Sequence, residues 1–202
     1  MSTLIETVRV KSGKAPLWPY HLVRLGRSAK ALGFTVPTLV SPSGGVDRVV
    51  RYLVSASGFT LDERPVGPVT PVKLGVAASA HEPYPHKTDQ RGQFDRALGE
   101  AAAQGMDDVL ILNQGSVAEC AVWSCFWWEG TRLAAPPLGI GILPGVARAK
   151  LNELAGGIVE ARVTPEEFRA RGGFLANAAR GVVAVEGVAD APGTVFLRTR
   201  FW

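Results

Sequence analysis

Apolar positions along the chain change period several times, and each change marks an element. Leu4 to Val10 alternates and is rich in β-formers, which predicts a strand, and Ser12-Gly13-Lys14 reads as a turn. Between Tyr20 and Phe34, Leu22, Leu25, Ala29 and Leu32 step by 3, 4 and 3, one stripe of a helix ended by Gly33; Arg24 lies off the stripe and faces water or a cleft. Val46, Val49, Val50, Leu53 and Val54 have helical spacing but β-branched composition, and two strands are predicted, about 48–55 and 59–66. Val72 to Ala78 reads as a further strand. The turn-prone His81-Glu82-Pro83-Tyr84-Pro85 then makes the best domain boundary. Beyond it, Phe94, Ala97, Leu98 and Ala101 mark a helix closed by Gly105. Strands follow at 109–112, 117–121 and 122–128, with turns at Asn113-Gln114-Gly115 and Glu129-Gly130. A helix is expected at about 146–155, and Thr164-Pro165-Glu166-Glu167 starts another, with Thr as N-cap and Glu three residues on. Short strands at about 181–186 and 194–199 close the chain. The order shows no internal repeat and no strict βαβ rhythm, so the fold class is α/β of a mixed, α+β kind.

Length and composition narrow the picture. The 202 residues allow one domain or two small ones, and 47% hydrophobic against 20% charged is enough for a buried core. The two most apolar stretches, Val109–Trp128 and Leu133–Ala147, are broken by Asn113, Gln114 and Glu119 and by three prolines. Neither supplies the roughly 20 apolar residues of a membrane span. The start lacks a basic segment followed by an apolar one, so no secretory signal is read and a cytoplasmic location is expected. The net charge of +4 is scattered, without the basic runs that grip nucleic acid. It fits a small anionic ligand, or a basic surface kept for solubility. Cys120 and Cys125 lie five apart in a strand-like run, a spacing that puts them on opposite faces, disfavours a mutual disulfide and fits a reducing compartment.

The common nucleotide, zinc-protease and hydrolase motifs are missing, and His21, His81 and His86 lack metal-ligand spacing with the cysteines. Three features remain. Lys87 follows the boundary; a lone lysine is ordinarily a solvated charge. Glu119 sits amid apolar β-formers, either as an edge-strand residue pointing to water or as a buried carboxylate in need of a partner. The helix after Gly145 offers free N–H groups, as every helix start does. Taken in order, a lysine amine, a strand-borne carboxylate and a helix N-terminus with an arginine are suited to an aldehyde, a ring nitrogen and a phosphate. Pyridoxal 5′-phosphate carries all three.

Here the sequence resembles the class IV (fold-type IV) pyridoxal-phosphate enzymes over nearly its whole length. The matching pieces are Glu6-Thr7-Val8-Arg9, His21-Leu22-Val23-Arg24-Leu25 with Ser28-Ala29 and Leu32-Gly33-Phe34, and His86-Lys87-Thr88 with Arg91. They continue through Asp108–Asn113 with Gly115, Val117 and Glu119, then Pro136-Pro137-Leu138, Gly141–Val146 with Arg148, and Asn177 with Arg180-Gly181. The His-Lys-Thr form, Glu119-Cys120, Phe126-Trp127 and the late Asn-x-x-Arg-Gly look most like the 4-amino-4-deoxychorismate lyase branch, which makes 4-aminobenzoate and pyruvate for folate synthesis.

The resemblance implies two α/β domains, a small one at 1–80 and a larger one at 87–202 joined by a linker at 81–86, and a homodimer with its active site near the interface. It implies that Lys87 is the Schiff-base lysine and proton shuttle and that Glu119 meets the pyridine nitrogen. Arg24 and the N–H groups of Val146 and Ala147 would hold the phosphate, with Arg91 and Arg180 as candidates for substrate carboxylates. An aminotransferase is the alternative reading, and a degenerate cofactor-binding relic the third. Ser124 stands where the family usually has Asn, Ala135 and Ala147 where it often has Thr, so two hydroxyls are missing near the expected phosphate cup. The chain also starts almost at its Glu-Thr motif, without the leading segment many members carry.

Overall fold

The computed structural model describes residues 2–202. Strand β1 (Leu4–Val10) and helix α1 (Trp18–Ala31) are followed by the hairpin β2 (Arg48–Ser55) and β3 (Gly58–Pro65), then by β4 (Leu74–Ala80) and α2 (Gly92–Ala103). Next come β5 (Asp108–Asn113), β6 (Ser116–Cys120), β7 (Ser124–Glu129), β8 (Arg132–Ala135) and α3 (Val146–Leu154). The chain closes with β9 (Val159–Glu160), α4 (Pro165–Ala170), β10 (Phe174–Asn177), β11 (Gly181–Ala184) and α5 (Pro192–Arg200). The strands form three sheets, ordered β1-β2-β3, β4-β5-β6 and β11-β10-β7-β8-β9. The fold is therefore mixed α/β, as the sequence predicts. No helix among the described residues is long and apolar enough to cross a membrane.

In the first sheet the ambiguous valines settle as strand. Val50 and Val54 pack with Val8, Val10 and Leu4 against Leu25 and Ala29 of α1. The edge strand β3 carries Asp62, Glu63 and Arg64, charges that discourage pairing with another chain. The expected apolar stripe of α1 is half right. Leu25 and Ala29 are buried, but Leu22 and Leu32 are about two-fifths exposed, and the buried face is completed by His21, Arg24 and Ser28. The helix is rotated because His21 and Arg24 bond inward to Glu6 and Ser28 to His86, and those bonds outweigh two exposed leucines.

Strand β4 pairs in parallel with β5, so a division at residues 81–86 cuts a hydrogen-bonded pair; the change of sheet falls instead within 66–73. The segment after β4 is sewn back onto β1. Ile5 N–H donates to the Lys87 carbonyl (2.7 Å), Asp89 N–H donates to the Thr3 carbonyl (2.9 Å), and Leu4 bridges Thr88. Lys87 is thereby clamped where the first two sheets meet.

The β5–β6 hairpin turns through Gln114 and Gly115, both at positive φ, the backbone that a two-residue hairpin demands. The expected strand at 122–128 starts only at Ser124, because Asp108 ties off a bend before it: its carboxylate accepts from the N–H groups of Ala121 (3.0 Å) and Val122 (3.1 Å). This bend overturns the opposite-face reading of the cysteines. Cys120 ends one strand and Cys125 lies on the next, and their sulfurs are buried 3.6 Å apart as free thiols. Thr164 caps α4 with both arms of a capping box, as its sequence predicts. The strand expected at 194–199 is instead α5: Pro192 opens it, and Thr194, Leu197 and Phe201 fall 3 and 4 apart on the buried side.

Candidate active site

A cavity of about 590 Å³ opens where the sheets converge, and all the residues singled out from sequence line it: Arg24, Lys87, Arg91, Glu119, Val146, Ala147 and Arg180. They arrive from α1, the 87–91 segment, β6, the start of α3 and the turn after β10, so only the tertiary fold brings them together.

On one wall, Arg24 is held by a buried cluster. Its Nε donates to Glu6 Oε1 (2.9 Å) and a second guanidinium N–H to Glu6 Oε2, which also accepts from His21 Nδ1 (2.5 Å). Burial alone would raise the Glu6 carboxyl, but the Arg24 charge and the His21 hydrogen bond prevail and hold it down to about 2. His21 is completely buried, and burial lowers its pKa despite the pull of Glu6, so it donates as a neutral imidazole.

Lys87 makes no side-chain hydrogen bond or ion pair among the described residues. Burial, then the positive charges of Arg24 and Arg91, push its amine down from 10.5 to about 7, against the opposing pull of Glu6 and Glu119. An amine in that condition is about half neutral at pH 7, and so both nucleophilic and basic. Across the cavity Glu119 is buried, with Oε1 bonded to His81 Nε2 (2.9 Å) and Oε2 without a partner among the described residues.

The start of α3 has no side-chain cap, which leaves the N–H groups of Val146 and Ala147 free to donate. Gly145 lets the backbone approach β7 closely: a Cβ there would stand 3.0 Å from Ser124 Oγ. The Ser124 hydroxyl therefore borders this helix end. Of the two alanines, only Ala147 lines the cavity; Ala135 is fully buried in the core cluster behind it, so the cup lacks one hydroxyl rather than two. Arg91 is partly committed, since it donates to the Ala121 carbonyl (3.1 Å) and lies over the Phe94 ring. Arg180 lies at 5.8 Å over the Trp123 ring.

Sequence reasoning missed Arg51 and Arg64, which also line the cavity from β2 and β3, and His81 behind Glu119. Alternation could have found the first two, because Thr7, Val49, Arg51 and Arg64 share a sheet face. No local pattern marks His81.

A buried arginine beside an uncapped helix start, further arginines around the cavity, a low-pKa lysine and a facing carboxylate define a site for an anionic carbonyl cofactor. The chain belongs to the amino-transferase class IV family, whose profile matches residues 46–188. That family depends on pyridoxal 5′-phosphate. A candidate branched-chain-amino-acid aminotransferase of Rickettsia typhi is 26% identical over 187 residues, covering 76% of this chain. The chain spans 65% of that relative's length, under two thirds. Among solved structures, a candidate 4-amino-4-deoxychorismate lyase of Legionella pneumophila is 22% identical with TM-score 0.81, over 99% of this chain and 91% of the other. An aminotransferase of Brucella abortus, bound to the cofactor PLP, is 23% identical with TM-score 0.79, over 99% and 88%.

The residues here fit that cofactor. Lys87 offers an unpaired amine of lowered pKa, Glu119 an unpaired carboxylate oxygen, and Arg24 with the uncapped α3 terminus a seat for a phosphate.

Proposed function

We propose that the protein is a 4-amino-4-deoxychorismate lyase that releases 4-aminobenzoate and pyruvate, with Lys87 as the cofactor's point of attachment. The observation that carries this reading is a surplus of cations. Arg51, Arg64, Arg91 and Arg180 line the cavity in addition to Arg24, and none has an ion-pair partner among the described residues. A branched-chain amino acid presents one carboxylate and an apolar side chain, whereas aminodeoxychorismate presents two carboxylates. Four unpaired guanidiniums suit the second.

When bound, the cofactor supplies an electron-withdrawing ring that stabilises negative charge on the substrate. The chain's own residues do the rest. Arg24, with the N–H groups of Val146 and Ala147, would hold the phosphate. Glu119, whose Oε2 is unpartnered, would face the ring nitrogen and favour its protonated form. Lys87 Nζ, poised near pH 7, accepts a proton and returns it as pyruvate leaves. Arg91 and Arg180 orient the substrate carboxylates.

The aminotransferase reading draws on the Rickettsia relative. The two differ in bookkeeping of the amino group: a lyase needs no acceptor, while an aminotransferase needs a keto acid each cycle. Purified protein with cofactor and aminodeoxychorismate alone should give many equivalents of 4-aminobenzoate. Turnover that appears only when an amino acid and a keto acid are supplied together would select the aminotransferase. We also propose that the protein acts as a homodimer with the cavity near the interface, which sedimentation would check.

A further inference from the structure

We propose that His81 is a positioning residue that fixes the Glu119 carboxylate so that Oε2 is presented to the cofactor's ring nitrogen. This rests on the cofactor seat described above. His81 immediately follows β4, and its backbone N–H donates to the Leu112 carbonyl on β5 (2.9 Å), which pins the residue beside the sheet that carries Glu119. Glu119 stands on β6 opposite Ile111 of β5, so the histidine and the carboxylate meet across a rigid three-stranded unit rather than on a loop. The imidazole side chain is wholly buried, its Nε2 lies 2.9 Å from Glu119 Oε1, and its Nδ1 is buried with no partner.

That orphaned nitrogen decides the proton's place. With the proton on Nε2, the ring donates to Glu119 and buries only a free lone pair. With the proton on Nδ1, an N–H would be buried unpaired while Nε2 faced the carboxylate lone pair to lone pair. Of the two tautomers, the one with its proton on Nε2 is therefore the one the site selects. It anchors one carboxylate oxygen and leaves the other free to accept from the cavity. A glutamate without this anchor has rotamer freedom to lose each time it meets a ring nitrogen.

The test needs no turnover to begin. Long-range proton–nitrogen correlation spectra of cofactor-free, 15N-histidine-labelled protein should show one histidine, absent in His81→Gln, protonated on Nε2 alone and shifted by Glu119→Gln. The same signal carrying its proton on Nδ1, or on both nitrogens, overturns the proposal. His81→Leu should weaken pyridoxal phosphate binding in dialysis about tenfold or more and lower kcat comparably, with substrate KM within about twofold, the scale seen when an outer partner of a site ligand is removed. His81→Gln keeps an N–H donor and should recover most of both losses, which a purely structural role would not predict. Wild-type behaviour of His81→Leu contradicts the proposal even if its cofactor site is real. If His81→Leu does not fold, the wild-type tautomer and His81→Gln decide. Failure of the unaltered protein to take up any cofactor contradicts the proposed function instead, and the spectra still decide the tautomer.

Discussion

Two walls of the cavity are built from the same parts and put together differently. Each has a buried carboxylate, a buried histidine and a cation. On the α1 wall both Glu6 oxygens are occupied, by Arg24 and by His21 Nδ1, and only the far His21 nitrogen, Nε2, is buried without a partner. On the sheet wall the set is left open: Glu119 has a free oxygen, and Lys87 bonds to neither Glu119 nor any other described side chain. The closed cluster sets geometry, and the open one retains the capacity to react. A buried ionisable group is therefore informative about chemistry only once its partners are counted.

Substitutions that exchange the two behaviours would break this contrast. Lys87→Ala should lower turnover by ~10³-fold or more while leaving the fold intact, because removing the site's proton carrier forfeits its whole contribution; circular dichroism together with a product assay checks both halves. Glu6→Gln should do the reverse. It leaves Arg24 buried against a neutral partner and should destabilise the protein by about 3 kcal/mol or more in urea melts. The pH dependence follows the same sign. The Glu6 carboxyl lies lower in the folded chain, about 2 against 4.5, so its stabilisation is present above pH 4.5 and is lost as pH falls toward 2. The acid unfolding of Glu6→Gln should accordingly be shallower than that of the unaltered protein. Glu119→Gln should cost only about 1 kcal/mol of stability or less but ~10²-fold in rate, or about 2.7 kcal/mol. A Glu119→Gln protein that melts early and turns over normally would invert the assignment of the two walls. Smallest is Ala147→Thr, which adds a hydroxyl at the mouth of α3 and should tighten cofactor binding by about 0.5–1.5 kcal/mol, read by dialysis.

The two walls also differ in how far they could be read from sequence. Lys87, Glu119, Arg24 and the α3 terminus are each weak signals alone, and only their order along the chain, with the family resemblance it carries, gathers them into one candidate site. Most strands and helices were legible from period, composition and turn or cap residues taken together. What sequence hid was everything set by rotation or distant pairing. The face α1 buries depends on Glu6, 18 residues before Arg24. The nearness of Cys120 and Cys125 depends on a bend tied by Asp108. Helix α5 was mistaken for a strand because Val195 and Phe196 mimic a β run, although they are the exposed side of a helix. His81 was passed over because its significance is one hydrogen bond to a residue 38 positions away.

Lys87, its amine lowered to about 7, is the residue on which the proposed cofactor attachment rests. Borohydride reduction of the protein loaded with pyridoxal phosphate at pH 7, followed by peptide mass mapping, tests it directly. One reduced adduct per chain, on Lys87, is expected. A stoichiometric adduct on another lysine, or none at saturating cofactor, would contradict it.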